Sequence, residues 1–217
     1  MLETTLLIHA SVGVVCLVSG TAALLVAKRP GRHPLAGRIF MGALVLAYLA
    51  ILPNMIHKTN LFLIGLGYLA VFSGVEGWRV LLRRNGRIPM APTPFDYGAV
   101  GLTVLLSITL IGLGAKVVID GNPMALVLLA FGLLGIGLVR EARKRWKTTP
   151  TQPELLRTHI QLMCGAFSAA LTAFVVLQLE SIAGGMQWIL WIAPSIFMAQ
   201  VGKRAVQRYA PKTTANG

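Results

Sequence analysis

Charge is what this chain has least of, and acid above all. Only 12% of its 217 residues are charged, with 7 Asp and Glu set against 20 Lys and Arg. A soluble globular domain carries about 25% charged residues, so a water-facing surface around a single core is excluded. There are two cysteines, Cys16 and Cys164, both inside apolar runs. Neither a disulfide framework nor a thiolate metal site follows from them, and a cysteine in such a run is a small packing residue. The sequence also lacks GxSxG, HExxH, a glycine-rich phosphate loop, and the HxxxH with Asp/His set of an intramembrane zinc hydrolase. No reaction class is therefore named, and whether the protein is an enzyme stays open.

What is present is apolar. Hydrophobic residues make up 55% of the chain, and several runs reach roughly 17 to 23 residues, enough to cross a hydrocarbon core of about 30 Å. These features predict an all-α, polytopic integral membrane protein whose partner is the lipid bilayer. Seven spans are expected, at 5–27, 35–56, 61–82, 95–119, 123–139, 155–179 and 188–202, forming one transmembrane domain over 1–217.

The formal net charge of +13 does not indicate nucleic acid, because the basic residues cluster between spans rather than along a surface. That arrangement is how Lys and Arg orient a chain in a bilayer. With the N-terminus outside and the C-terminus in the cytoplasm, only Lys58 and Lys116 of the 20 basic residues fall on the outer side, leaving 18 inside. A bacterial inner membrane is the expected location. No basic segment precedes the first span, so it reads as a retained helix rather than a cleaved signal.

The connections carry their own signals. Lys28 to Arg38 is basic and broken by Pro30, Gly31 and Pro34. His57 to Asn60 leaves room only for a tight turn, and Asp120-Gly121-Asn122-Pro123 is another. The segment Arg140 to Lys147 is expected to be a basic loop, and the TTANG tail to be disordered. Gly67, Ala70, Gly74 and Gly77 give the third span one small-residue face for close helix approach.

Chemistry can sit in three places. The four histidines fall at two depths, His9 and His57 toward the outer face, His33 and His159 toward the inner one. Two such pairs suit a b-type cytochrome, where two imidazoles hold each haem, or a divalent metal. Axial ligands of one haem need ring nitrogens facing each other about 4 Å apart. The second place is an inner ionisable set: His33, Arg38, Glu76, Arg79, Asp96, Arg157 and His159. Glu76 and Arg79, one turn apart, are natural partners. The third is a polar stripe on the sixth span, Thr158, Gln161, Gly165, Ser168 and Thr172. Cys164, Phe167, Leu171 and Phe174 fill a different sector of that helix, expected to face lipid.

The loop His33-Pro34-Leu35-Ala36-Gly37-Arg38, after a first helix bearing His9, resembles that of a family of uncharacterised bacterial membrane proteins. Their pattern is His-Arg-x-x-Gly-Arg after the first span, then a later helix with His-x-x-x-Met and Ala-x-x-Thr-Ala-Phe. Here the later motif is similar at His159 to Met163 and at Ala170 to Phe174. Pro34 replaces the expected Arg. The resemblance implies the same span boundaries and singles out His9, His33, His57 and His159, but it carries no activity.

Three functions compete on these grounds. The first is a small histidine-based redox or metal-binding protein, with His9 and His57 forming an outer site and His33 and His159 an inner one. The second is a proton-coupled solute carrier whose path is lined by Glu76, Arg79 and the Gln161–Ser168–Thr172 stripe. The third is a non-catalytic subunit that docks another membrane protein or forms a homo-oligomer.

Overall fold

A computed structural model describes residues 2–28 and 31–210. Arg29 and Pro30 of the first basic loop, and the TTANG tail, lie outside the described residues. Among the described residues seven α-helices follow one another: α1 (Leu2–Leu25), α2 (Arg32–His57), α3 (Leu61–Arg84), α4 (Pro94–Ile119), α5 (Met124–Lys147), α6 (Gln152–Ala183) and α7 (Gln187–Tyr209). A single 3-10 turn, Gly184–Met186, joins the last two, and no strand occurs among the described residues. Helices α1 to α6 are long and apolar enough to cross a membrane. Helix α7 is not in that group, since Gln187, Gln200, Lys203 and Arg204 dilute its apolar run.

Local chemistry sets the helix ends. The Asp96 carboxylate accepts from the Thr93 backbone N–H at 2.6 Å, starting α4. Glu154 does the same for Thr151 at 2.7 Å at the start of α6. Each acidic group thereby satisfies a donor that the helix itself leaves free. Asn60 caps α3 by accepting from Leu63 N–H at 3.0 Å. Just beyond α1, the Lys28 ammonium donates to the carbonyls of Ala23 and Leu24, and partial burial lowers its pKa.

Two boundaries differ materially from expectation. Helix α2 begins at Arg32, so His33 to Arg38 form its first turns and not a loop, with Pro34 in the first turn where its missing N–H costs no helical bond. Arg140 to Lys147 is not a loop: α5 runs on to Lys147. The segment REARKRWK holds strong helix formers and no glycine or proline, and its cations suit a helix C-terminus. That continuation carries Arg145 and Trp146 back over the end of α3.

The bundle is organised around α3 and α6, which pack along each other. Helices α1 and α2 form a closely packed pair on one side, α4 and α5 another, and α7 lies along α6. Small residues permit the approaches, as expected where lipid supplies no hydrophobic drive between helices. A Cβ on Gly77 would stand 3.1 Å from Leu162 Cβ, and one on Gly74 2.7 Å from Met41 Sδ. Phe167 of α6 lies over Gly20 of α1 and meets Phe40 of α2 edge-to-face at 5.9 Å. Cys164 and Phe167, expected to face lipid, are therefore buried. The sector fails as a lipid face because α1, α2 and α7 converge on it; only Phe174 at its far end is exposed.

Candidate functional site

The ionisable groups converge where the C-terminal part of α3, the start of α4 and the extended end of α5 meet. Glu76, Arg83 and Asp96 are each more than nine-tenths buried there. Arg79 grips Asp96 through two bonds, Nε to Oδ1 and Nη2 to Oδ2, both 2.9 Å. Its Nη2 also donates to Thr93 Oγ1 at 2.9 Å, and its guanidinium lies 4.8 Å from the centre of the Phe95 ring. Thr93 Oγ1 donates in turn to Asp96 Oδ2 at 2.7 Å. Arg83 Nη2 approaches the same oxygen to 2.8 Å, as an ion pair off the hydrogen-bond axis. One carboxylate is thus held by two guanidiniums and a threonine, which is how a buried charge stays tolerable.

Glu76 and Arg79 are not partners, contrary to the expectation from spacing. Glu76 accepts from Arg145 Nη2 at 2.8 Å and lies 3.7 Å from Arg83 Nη1. Arg79 leaves it because the planar fork of Asp96 matches a guanidinium better than a monodentate contact one turn away. Arg83, Arg145, Thr93 and Trp146 were not among the residues singled out from sequence. Arg83 had a readable signal: it is seven residues from Glu76 and so falls on the same helix face. Arg145 had none once its segment was taken for a loop.

Beside this cluster, a groove of about 500 Å³ opens between α2, α3 and α4. Its walls are Val45, Val71, Phe72, Val75, Val100 and Leu102, with Tyr68 bonding the Ala99 carbonyl at 3.0 Å across the α3–α4 seam. Its polar end is Glu76, Asp96 and Trp146. A second space, of about 10 Å³, lies behind that end among Glu76, Arg83, Arg145 and Trp146. Two buried donors there have no partner, Arg83 Nε and Trp146 Nε1. Trp146 also packs edge-to-face with Tyr97 at 5.3 Å, so the indole stands between the two spaces.

The histidines are placed otherwise. His9 Nδ1 is 2.8 Å from the Ala47 carbonyl, His33 Nδ1 is 3.0 Å from that of Ala23, and His159 Nδ1 is 2.9 Å from that of Gly77. Each ties its own helix to a neighbour: α1 to α2, α2 to α1, and α6 to α3. His57 is exposed at the end of α2. It lies ten residues beyond Ala47, about 15 Å along the axis, so His9 and His57 are not brought together. His33 and His159 lie within electrostatic range of each other, but their Nδ1 atoms bond carbonyls of different helices. No group of three or more His, Cys, Asp or Glu that could hold a metal occurs among the described residues.

The remaining candidates scatter. Arg38 is exposed, and Arg157 Nη2 donates to the Ala210 carbonyl at 3.1 Å, closing α6 on the end of α7. The α6 stripe divides along its length. Gln161 is exposed, whereas Ser168 and Thr172 are buried, with Ser168 Oγ donating to Ser195 Oγ of α7 at 3.0 Å. Neither Ser168 nor Thr172 lines either of the two spaces that Glu76 borders. The chain matches no protein-family model, no curated protein and no solved structure.

Proposed function

We propose that this is a seven-span bacterial inner-membrane protein, N-terminus outside and C-terminus cytoplasmic, that takes an amphiphile from the bilayer into the α2–α3–α4 groove. The observation that carries the reading is the groove itself: about 500 Å³ of apolar wall ending on Glu76, Asp96 and Trp146. A mostly apolar pocket with a few convergent polar groups is the general form of a small-molecule site. Ionisable side chains held at membrane depth are costly, and they commonly mark a substrate pathway.

The topology rests on the basic residues. Placing 18 of the 20 Lys and Arg inside requires α7 to span as the seventh helix, and that puts the ion-pair cluster at the cytoplasmic end of the groove. This reading keeps the carrier class and moves its path from the α6 stripe to the α2–α3–α4 face. A histidine-based redox or metal role has less support, since the three partly buried rings, His9, His33 and His159, serve as ties between helices.

Gly98 supplies the test. It lines the groove, and a Cβ built on it meets nothing within 4 Å. The variant Gly98→Trp therefore fills the groove without opposing the helix, and glycine is the residue a helix interior misses least. Native mass spectrometry of the full chain, extracted in a neutral maltoside detergent, is expected to show one retained amphiphile on the parent. The same measurement on Gly98→Trp is expected to show at least a tenfold smaller bound fraction at unchanged thermal stability. Equal retention by both proteins would remove the groove from the account.

A further inference from the structure

We infer that the C-terminal end of α5 docks an anionic phospholipid of the surrounding bilayer, its head group on Arg140, Arg143, Lys144 and Lys147. Its chains lie along Leu126, Leu133 and Gly137 of the same helix face. The inference is independent of the groove and rests only on α5 crossing the membrane.

The end of α5 is two-sided. With 3.6 residues per turn, Ala142, Arg145 and Trp146 share one side of it. There Ala142 is buried, Arg145 bonds Glu76, and Trp146 meets Tyr97. Arg140, Arg143, Lys144 and Lys147 stand at i, i+3, i+4 and i+7, a single face on the opposite side. All four are exposed, and none is in an ion pair among the described residues. Glu154 acts on Lys144 from α6, but its carboxylate is already held by the Thr151 N–H and hydroxyl. Four cations with only Glu141 on their flank leave the ridge strongly positive.

The apolar part of α5 leads straight into this ridge. Seven-residue steps back from Arg140 reach Leu133 and Leu126, which are 62% and 56% exposed. Gly137 lies between them and the cations, exposed and with open space where a Cβ would stand. A hydrocarbon core of about 30 Å takes about 20 helical residues. Counted from Met124, where α5 begins, it ends near Arg143. The ridge therefore falls at the depth of the lipid phosphates, and the leucines at the depth of the chains. Clustered cations just beyond a membrane span attract anionic head groups. A soluble polyanion would meet the cations alone, whereas a lipid answers the cations and the leucines in one line.

The test is native mass spectrometry of the full chain in a neutral maltoside detergent. Phosphatidylglycerol and phosphatidylcholine with the same acyl chains are each added in turn. The parent is expected to bind phosphatidylglycerol at least about tenfold more tightly. In the triple variant Arg140→Gln, Lys144→Gln, Lys147→Gln the preference is expected to fall to within about twofold, and in the double variant Lys144→Gln, Lys147→Gln to an intermediate value. The triple variant Lys203→Gln, Arg204→Gln, Arg208→Gln removes the same charge from the exposed end of α7 and is expected to keep the preference. So is Gly98→Trp, which alters the groove alone.

Equal binding of the two lipids by the parent would overturn the inference, as would a preference that survives the α5 triple variant. Equal loss in both triple variants would mean diffuse attraction by the basic surface and no ridge. A preference lost in Gly98→Trp would move the lipid into the groove, leaving the groove standing and the ridge overturned. Displacement of the lipid by inorganic phosphate would mean that the leucines hold nothing, and would overturn the docking of a whole lipid.

Discussion

Replacing Asp96 with alanine is expected to lower the thermal midpoint of the detergent-solubilised protein by several degrees. The carboxylate takes both forks of Arg79, the Thr93 backbone N–H and hydroxyl, and the close approach of Arg83. Alanine removes all of these at once, leaving Arg79 without a carboxylate and Arg83, at 6% exposure, with only the 3.7 Å approach of Glu76. Breaking one partner out of a buried pair costs about 3–5 kcal/mol, because the remaining charge stays unanswered. At roughly 2–4 °C per kcal/mol for a chain of this size, the midpoint falls by at least ~6 °C. Asp96→Asn keeps the shape and one acceptor, and is expected to fall between parent and alanine. Static light scattering against temperature checks all three; an alanine variant within about 1 °C of the parent contradicts the assigned network.

The second large effect is steric. Gly132→Leu is expected to separate α4 from α5. A Cβ at Gly132 would lie 2.6 Å from Ile111 Cγ1, 3.0 Å from the Ser107 carbonyl oxygen and 3.1 Å from the Ile111 backbone nitrogen. Two of these neighbours are backbone and cannot turn aside, unlike the Ser107 hydroxyl beneath Gly135. Overpacking costs about 1–3 kcal/mol where side chains can adjust, and here the helix axes themselves must move. The propensity gain on losing a glycine, about 1 kcal/mol, does not offset that. Gly137 on the same helix meets nothing within 4 Å, so Gly137→Ala is expected to be neutral or mildly stabilising. Monodispersity on size exclusion, with thermal midpoint, separates the two. A Gly132→Leu protein as stable as Gly137→Ala would mean that α4 and α5 are not packed as described.

The helices were readable from the sequence because length, apolar run and charge position act locally. Proline and glycine punctuated most of the loops. The ion pairs were readable only as a set of residues. Glu76 and Arg79 share a helix turn, yet Glu76 is bonded to Arg145, 69 residues away, and Arg79 to Asp96 on another helix. Spacing along one helix shows who is near, not which neighbour offers the better fork. The reading of Arg140 to Lys147 as a loop came from weighing charge above helix propensity, and it concealed both Arg145 and Trp146. Histidine depth could be read as well, but its use could not. A backbone carbonyl leaves no mark in a side-chain pattern, and carbonyls are what His9, His33 and His159 meet. Likewise Phe167 looks lipid-facing on a helical wheel, and is covered because Gly20 lets α1 approach.

The account stands on the groove being a ligand site and not merely an irregular lipid-facing surface. The most direct measurement is photolabelling of the full chain in lipid nanodiscs with an alkyl probe carrying a diazirine at mid-chain, its adducts mapped by peptide mass spectrometry. Adducts are predicted to concentrate on Val45, Val71, Val75 and Leu102, which line the groove, and to disappear from those positions in Gly98→Trp. Adducts spread evenly over outward faces such as Leu7, Val14 and Val18 of α1, which are 60–70% exposed, and unchanged by Gly98→Trp, would contradict it.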